Sequence, residues 1–174
     1  EIRDKATVDI ALKASLTGHL VFSTLHTNDA PSSITRLQNM GTPNYLISAA
    51  LTLIMAQRLA RKNCSECSVI DENVTPKLLN SIGFLPEQSA RAKIYKGKGC
   101  DQCGNSGYKG RMGIYEILEI DKELKQGILS DLSQVELNSI AKKNGFKTMQ
   151  QMGHDLLLSG DLSFSEFERV LQSN

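Results

Sequence analysis

The chain has no tryptophan, and its aromatic residues reach only 5% of 174 positions. A core made from it must rest on Leu, Ile, Val, Ala and Met rather than on stacked rings. Long apolar runs are missing too. None approaches the roughly 18 residues of a membrane-spanning helix, so no membrane insertion is expected. The opening, EIRDKATVDI, lacks the basic start and apolar stretch of a signal peptide. An excess of one charge is also absent: 20 Lys and Arg face 19 Asp and Glu, for a formal net charge of +1. Nucleic-acid binders usually carry a basic face or stripe, so no nucleic-acid partner is expected. There is no initiator methionine, and the chain opens on charged residues in mid-pattern, as a fragment without its upstream half would. Neither an internal repeat nor a low-complexity tract is visible.

What is present is more specific. Four cysteines, Cys64, Cys67, Cys100 and Cys103, form two C-x2-C pairs separated by thirty-two residues. Each C-x2-C turn aims two thiolates at one centre, and two such turns complete a tetrahedron around Zn²⁺. The rivals are two disulfides or a thioredoxin-like redox pair. The first does not suit a chain without a secretory signal, and the second needs a βαβ setting that neither pair has. The stretch between the pairs has too few apolar residues for its own core, so the metal is expected to hold it together. A short helix is expected at TPKLLNSIGF, with Pro76 in its first turn.

Upstream, residues 4–16 read as a helix with Asp4 as N-cap and Val8, Ala11, Leu12 and Ser15 on one face. Gly18 ends it. HLVFSTL then reads as a strand buried on both faces. Asn28 or Asp29 caps a second helix that Gly41 stops, and Thr42 and Pro43 open a third. LTLIMAQRLARK and YKGRMGIYEILEI read as strands. This alternation predicts an α/β fold with a parallel sheet. From Asp121 the chain reads as helical. Its apolar stripes are Leu124 with Ile128, Leu137 with Ile140 and Ala141, Met149 with Met152 and Leu156, and Phe164 with Phe167, Val170 and Leu171. Two S-x-x-E capping boxes are expected, Ser133 with Glu136 and Ser163 with Glu166.

Two histidines flank the HLVFSTL run. In open parallel sheets functional groups collect beyond the carboxyl ends of strands, which is where His26 falls. His19 stands at the other end, ~20 Å away at about 3.3 Å per residue, so the two cannot share one metal. His26 is the site candidate and His19 the structural one. Glu1 and Asp4 come to lie beside His26 if an upstream strand precedes them. A carboxylate there suits the orientation of a water or a metal-bound phosphate.

The stretch EIRDKATVDIALKASLTGHLVFSTLHTNDAPSSITRLQNMG resembles the second half of the core of the type II secretion and type IV pilus assembly ATPases. EIRD is similar to the end of that family's Walker B strand, and TGHLVFSTLHTNDA to its His box. AQRLARKNCSEC, CDQC and GYKGRMGIYEILEI are similar to its tetracysteine zinc subdomain and the strand after it. Retraction motors share the His box but typically lack the four cysteines, which points to an assembly or secretion motor. The ending TMQQMGHDLLLSGDLSFSEFERVL resembles a mannose-sensitive haemagglutinin-type pilus ATPase.

The resemblance implies a RecA-like P-loop ATPase core over 1–63, a zinc subdomain over 64–107, and a strand with helices over 108–174. It implies Glu1 as the Walker B glutamate, His26 as the histidine that contacts the γ-phosphate, Thr24 and Thr27 as its supports, and Arg111 near the bound nucleotide. His19 becomes a structural or subunit-contact residue. The implied cofactors are ATP, Mg²⁺ and a structural Zn²⁺. The implied assembly is a cytoplasmic homo-hexamer, peripheral to the inner membrane, acting on an inner-membrane platform protein. Ala6 departs from the family's RDxET, which has a carboxylate there. A Walker A loop is missing, so the fragment alone is expected to be inactive. Two other readings fit the sequence less well. A zinc-dependent nucleic-acid or protein-interaction module accounts for the cysteines but not for the His-box strand. A zinc deaminase lacks its H-x-E and P-C-x-x-C signatures.

Overall fold

Asp4 begins the first helix as its type predicts. Its carboxylate accepts from the Thr7 N–H at 2.8 Å, and α1 runs Lys5–Leu16. Gly18, at φ +92°, turns the chain out of that helix through a conformation that other residues adopt only with strain. The computed structural model describes residues 1–172. It divides into two units, each assembled from separate stretches of chain: Glu1–Ala56 with Glu116–Lys147, and Gln57–Tyr115 with the chain from Thr148 onward.

In the first unit, α2 (Ser32–Asn39) and α3 (Asn44–Ala50) follow α1. Beyond residue 119 come α6 (Lys122–Leu129) and α7 (Gln134–Lys143). Asp121 and Ser133 cap these last two, and the Ser133–Glu136 box is reciprocal as expected. The stripes then meet. Val8, Ile34, Leu37, Ile47, Leu118, Leu124, Ile128, Leu137 and Ala141 form a single aliphatic core, with Ala11 and Leu12 packed on it. No aromatic ring belongs to its buried set.

The long strands β1 (Leu53–Asn63) and β4 (Tyr108–Glu119) pair with each other. In the first unit Ile120 N–H donates to Thr52 O, and in the second Cys64 N–H donates to Gly107 O, each at 2.9 Å. That order makes the pair antiparallel. The second sheet, β2 (Ser68–Ile70) with β3 (Tyr95–Gly97), is antiparallel as well. The expected parallel sheet is thus absent among the described residues. The expected HLVFSTL strand is not formed either: Leu20 is 81% and Phe22 88% exposed, and the segment's backbone bonds are His19 N–H to Ala14 O at 3.1 Å, which closes α1, and Ile2 N–H to Thr24 O at 2.8 Å. Apolar composition marks a segment for burial but does not supply the neighbouring strands that a ladder needs.

The second unit also holds α4 (Pro76–Ser81), α5 (Pro86–Arg91), α8 (Met149–Ser159), α9 (Phe164–Phe167) and a π-helical turn, Glu168–Gln172. Thr75 caps α4, with Pro76 in its first turn. On α8 the buried face is Met149, Gly153 and Leu157, not Met149, Met152 and Leu156, because the i, i+4, i+8 row faces inward. Ser163 caps α9 as expected, but Glu166 does not complete the box. Its fully buried carboxylate pairs with Arg61 at 2.7 Å and with Arg169. No helix of the described residues is long and apolar enough to cross a membrane.

Candidate functional site

The bond from Ile2 N–H to Thr24 O lays the first residues along the extended segment before His26. Ile2 is buried in the aliphatic core, which anchors that alignment. Glu1 and His26 consequently meet, with His26 Nε2 at 2.6 Å from Glu1 Oε1. Arg3 takes the other carboxylate oxygen at 2.6 Å. The Arg3 hydrogen bond, aided by His26, holds the Glu1 carboxyl below the usual carboxylate range against some desolvation. To donate to a carboxylate, His26 must carry its proton on Nε2. The His26 side chain is 83% exposed and that of Glu1 29%, so the pair is open to a ligand. The arrangement offers an ionised acceptor that can orient a water and a neighbouring imidazole that can meet an anion.

The loop after His26 is closely bonded. Thr27 and Ser33 share a hydroxyl–hydroxyl bond of 2.9 Å. Asp29 accepts from Ser32 N–H at 2.7 Å, and Ala30 and Pro31 are buried. Thr24 is exposed and contributes its carbonyl to Ile2. Thr27 therefore steadies the loop through Ser33, while Thr24 fixes the alignment through its backbone. His19 binds the end of α1, its Nδ1 lying 3.2 Å from Thr17 Oγ1 and 3.3 Å from Ala14 O. This is the structural placement expected of it. Arg111 is exposed on β4 within the second unit.

The second unit carries the cysteines. None is in a disulfide. The Sγ atoms lie 3.9 Å apart for Cys64–Cys100 and Cys67–Cys103, and 3.7 Å for Cys100–Cys103. All four fall within 4.8 Å of one another. These spacings are far beyond a disulfide's ~2.05 Å. They match the ~3.8 Å edge of a tetrahedron with metal–sulfur bonds near ~2.3 Å. Backbone N–H groups also point at sulfur: Gly99 donates to Cys67, and Cys100 and Gly107 donate to Cys103, at 3.2–3.3 Å. Burial pushes the Cys67 thiol up to about 11. Burial acts on Cys103 too, but the Cys100 and Gly107 N–H groups and the neighbouring thiols outweigh it, drawing that thiol down to about 6. Donors of this kind stabilise thiolates, as a cation's ligands require. Gly97 and Gly107 let two backbones approach so closely that a Cβ on Gly97 would sit 1.9 Å from Gly107 O. The cluster therefore fits a closed four-thiolate metal centre.

Three functional candidates escaped sequence reasoning. Glu116 is buried and accepts the Ala30 N–H at 2.5 Å. Glu166 anchors two arginines. His154 lies against Phe84 and Phe167, and its Nε2 meets Ile82 O at 2.9 Å. For Glu116 a signal existed: it shares the inward period-two row of β4 with Ile114, Leu118 and the following Ile120, where a carboxylate needs a partner.

An α/β chain with these features has the fold of a secretion-type ATPase. A crystal structure of the pilus retraction motor PilT with bound ADP matches 97% of this chain and 37% of its own, at a TM-score of 0.62 and 25% identity. The chain belongs to the type II/IV secretion system protein family, whose model covers residues 1–169. It is 43% identical over 166 residues to the type IV pilus assembly ATPase PilB of Thermus thermophilus, covering 95% of this chain and 19% of the relative. It is 39% identical to a putative type II secretion system protein E of Escherichia coli, covering 98% of this chain and 34% of the relative. The chain thus spans between about a fifth and a third of the length of these curated relatives.

Proposed function

We propose that this chain supplies the water-orienting and phosphate-contacting part of a motor ATPase that drives type IV pilus assembly or type II secretion. The Glu1–His26 contact of 2.6 Å is the observation that carries the reading. Glu1, ionised and held by Arg3, accepts a hydrogen bond from the attacking water and fixes its approach. His26, beside it and exposed, turns its Nε2–H from Glu1 toward the γ-phosphate as charge builds there. In phosphoryl transfer such positioning and charge stabilisation provide nearly all of the acceleration. Thr24 and Thr27 hold the segment carrying His26. A Mg²⁺ ion bound with the nucleotide would offset the negative charge of the phosphates that His26 faces. Cys64, Cys67, Cys100 and Cys103 hold a structural Zn²⁺, since four thiolates leave no open position for water.

In the whole protein this chemistry runs in a cytoplasmic homo-hexamer that acts on a platform protein of the inner membrane. The segments 1–63, 64–107 and 108–174 serve as core, zinc subdomain and helical end. The relatives include a type IV pilus assembly ATPase and a putative type II secretion system protein E, and the proposal is one motor chemistry for either setting. No GxxxxGK[ST] phosphate-binding loop occurs in these residues. The 174-residue chain by itself is therefore expected not to hydrolyse ATP.

The test is phosphate release by the full-length protein. Glu1→Gln should abolish turnover while leaving nucleotide affinity near that of the wild type. Turnover that persists in Glu1→Gln overturns the assignment of the site.

A further inference from the structure

We infer that Glu116 is a positioning residue for the His26 loop, an assignment that rests on the motor reading above. His26 has little of its own to hold it: its side chain is 83% exposed, and its ring partner is Glu1. Its direction therefore depends on the backbone that carries it. On one side that backbone is fixed by Ile2 N–H to Thr24 O at 2.8 Å. On the other side, the bonds of Thr27 with Ser33 and of Asp29 with Ser32 keep the loop rigid within itself. Rigidity does not settle where the loop sits. The bond from Ala30 N–H to Glu116 Oε1, at 2.5 Å, ties it to a strand 86 residues further along the chain.

Three features make this tie strong. Glu116 is 3% exposed and Ala30 fully buried, so water does not compete for the bond. The donor is a buried backbone N–H, and losing its acceptor would leave it unsatisfied, which costs more than the bond's own net worth. Glu116 also shares the buried row of β4 with Leu118, a core residue of the same unit. A buried carboxylate is costly where an apolar residue would serve the core better. Its placement at the foot of the loop that carries His26 gives that cost a use. The carboxylate does not touch the reacting atoms. It sets the height of the loop, and through the loop the reach of His26 to the γ-phosphate.

The test compares wild type, Glu116→Ala and Glu116→Gln in the full-length protein. ATP turnover is measured beside hydrogen–deuterium exchange of the peptide covering residues 24–34. In Glu116→Ala that peptide should exchange at least several-fold faster. Its kcat should fall on the order of tenfold with KM within about twofold, because the contact being misplaced strengthens in the transition state. Glu116→Gln keeps an acceptor oxygen for Ala30. It should retain slow exchange and recover most of the kcat, an outcome that general loosening of the core does not produce. Faster exchange with unchanged kcat in Glu116→Ala overturns the positioning role, and so does a Glu116→Gln protein with slow exchange but a kcat as low as that of Glu116→Ala. If Glu116→Ala loses protection throughout the chain, Glu116→Gln alone decides by the same two readouts. A wild type that releases no phosphate refutes the motor reading itself. A wild type that does, matched by Glu116→Ala, refutes only the part given to Glu116.

Discussion

The two units of this molecule are stabilised by different chemistry. The first is an aliphatic core of Val, Ile, Leu and Ala brought together from five helices and the end of a strand. Its polar site rests on top of that core, exposed. The second buries apolar residues of its own, Leu79, Ile82, Phe84, Leu157 and Phe167 among them, and adds discrete cross-links: four thiols around one centre, a buried carboxylate between two arginines, and a histidine against two phenylalanines. An aliphatic core spreads its stabilisation over many small contacts, so removing one costs a fraction. A cross-link concentrates it, so one substitution can release a whole segment.

The sharpest way to break that contrast is to remove the metal centre. Cys100→Ser should abolish zinc binding and unfold residues 64–107, because structural zinc contributes on the order of 10 kcal/mol in small zinc domains. Exchange protection in α1, α2 and α3 should survive. Elemental analysis showing about one zinc per wild-type chain and none in the variant checks the first claim. Loss of protection in both units together would show that the contrast is wrong.

Glu166 comes next. Its carboxyl is held down to about 2, burial being outweighed by the hydrogen bonds from Arg169 and Arg61. Because the folded value lies below the unfolded one, this contribution is complete above about pH 4.5 and is lost as the pH falls through 2. A depression of that size corresponds to about 3 kcal/mol. Glu166→Ala should cost a similar amount, about 3 kcal/mol, since Arg61 and Arg169 are half-exposed and remain solvated. Urea unfolding at pH 7 measures it. Repeating the titration at pH 3 should narrow the gap between wild type and variant.

In the first unit the corresponding test is functional. His26→Ala in the full-length protein should lower kcat by about a hundredfold, as loss of one transition-state donor does, with little change in nucleotide affinity. Its unfolding midpoint should not move, because an exposed ring adds nothing to the aliphatic core. A variant that is destabilised but still turns over ATP would reverse the distinction between site and scaffold.

The smallest effect is expected at His154. Burial lowers its pKa below the ordinary histidine value against the pull of Ile82 O and Asp155. The neutral ring is therefore the folded form. Its contribution is complete above about pH 6.5 and is lost as pH falls through the lowered value. His154→Gln should cost about 1 kcal/mol at neutral pH, and it should flatten the pH dependence of stability between pH 7 and 5. Gln150, which also donates to Ile82 O at 2.9 Å, limits the loss.

Some of this was legible in the residues alone. Asp4, Thr75, Asp121 and Ser133 announce helix starts because a cap acts on an N–H two or three positions away. The two C-x2-C turns announce a four-thiolate centre because each turn fixes its own pair. Glu1 and His26 were paired through their likeness to known motifs, and the contact at 2.6 Å gives that pairing a geometry. Tertiary structure alone assigned Glu116 to Ala30, Glu166 to Arg61, and His154 to Ile82, across separations of 86, 105 and 72 residues. Ser163 and Glu166 have a capping-box spacing, yet the carboxylate, itself fully buried, left the cap for two half-exposed guanidiniums. A charge-assisted bond shielded from water outweighs an exposed one at a helix end, and only packing decides which side chains are shielded.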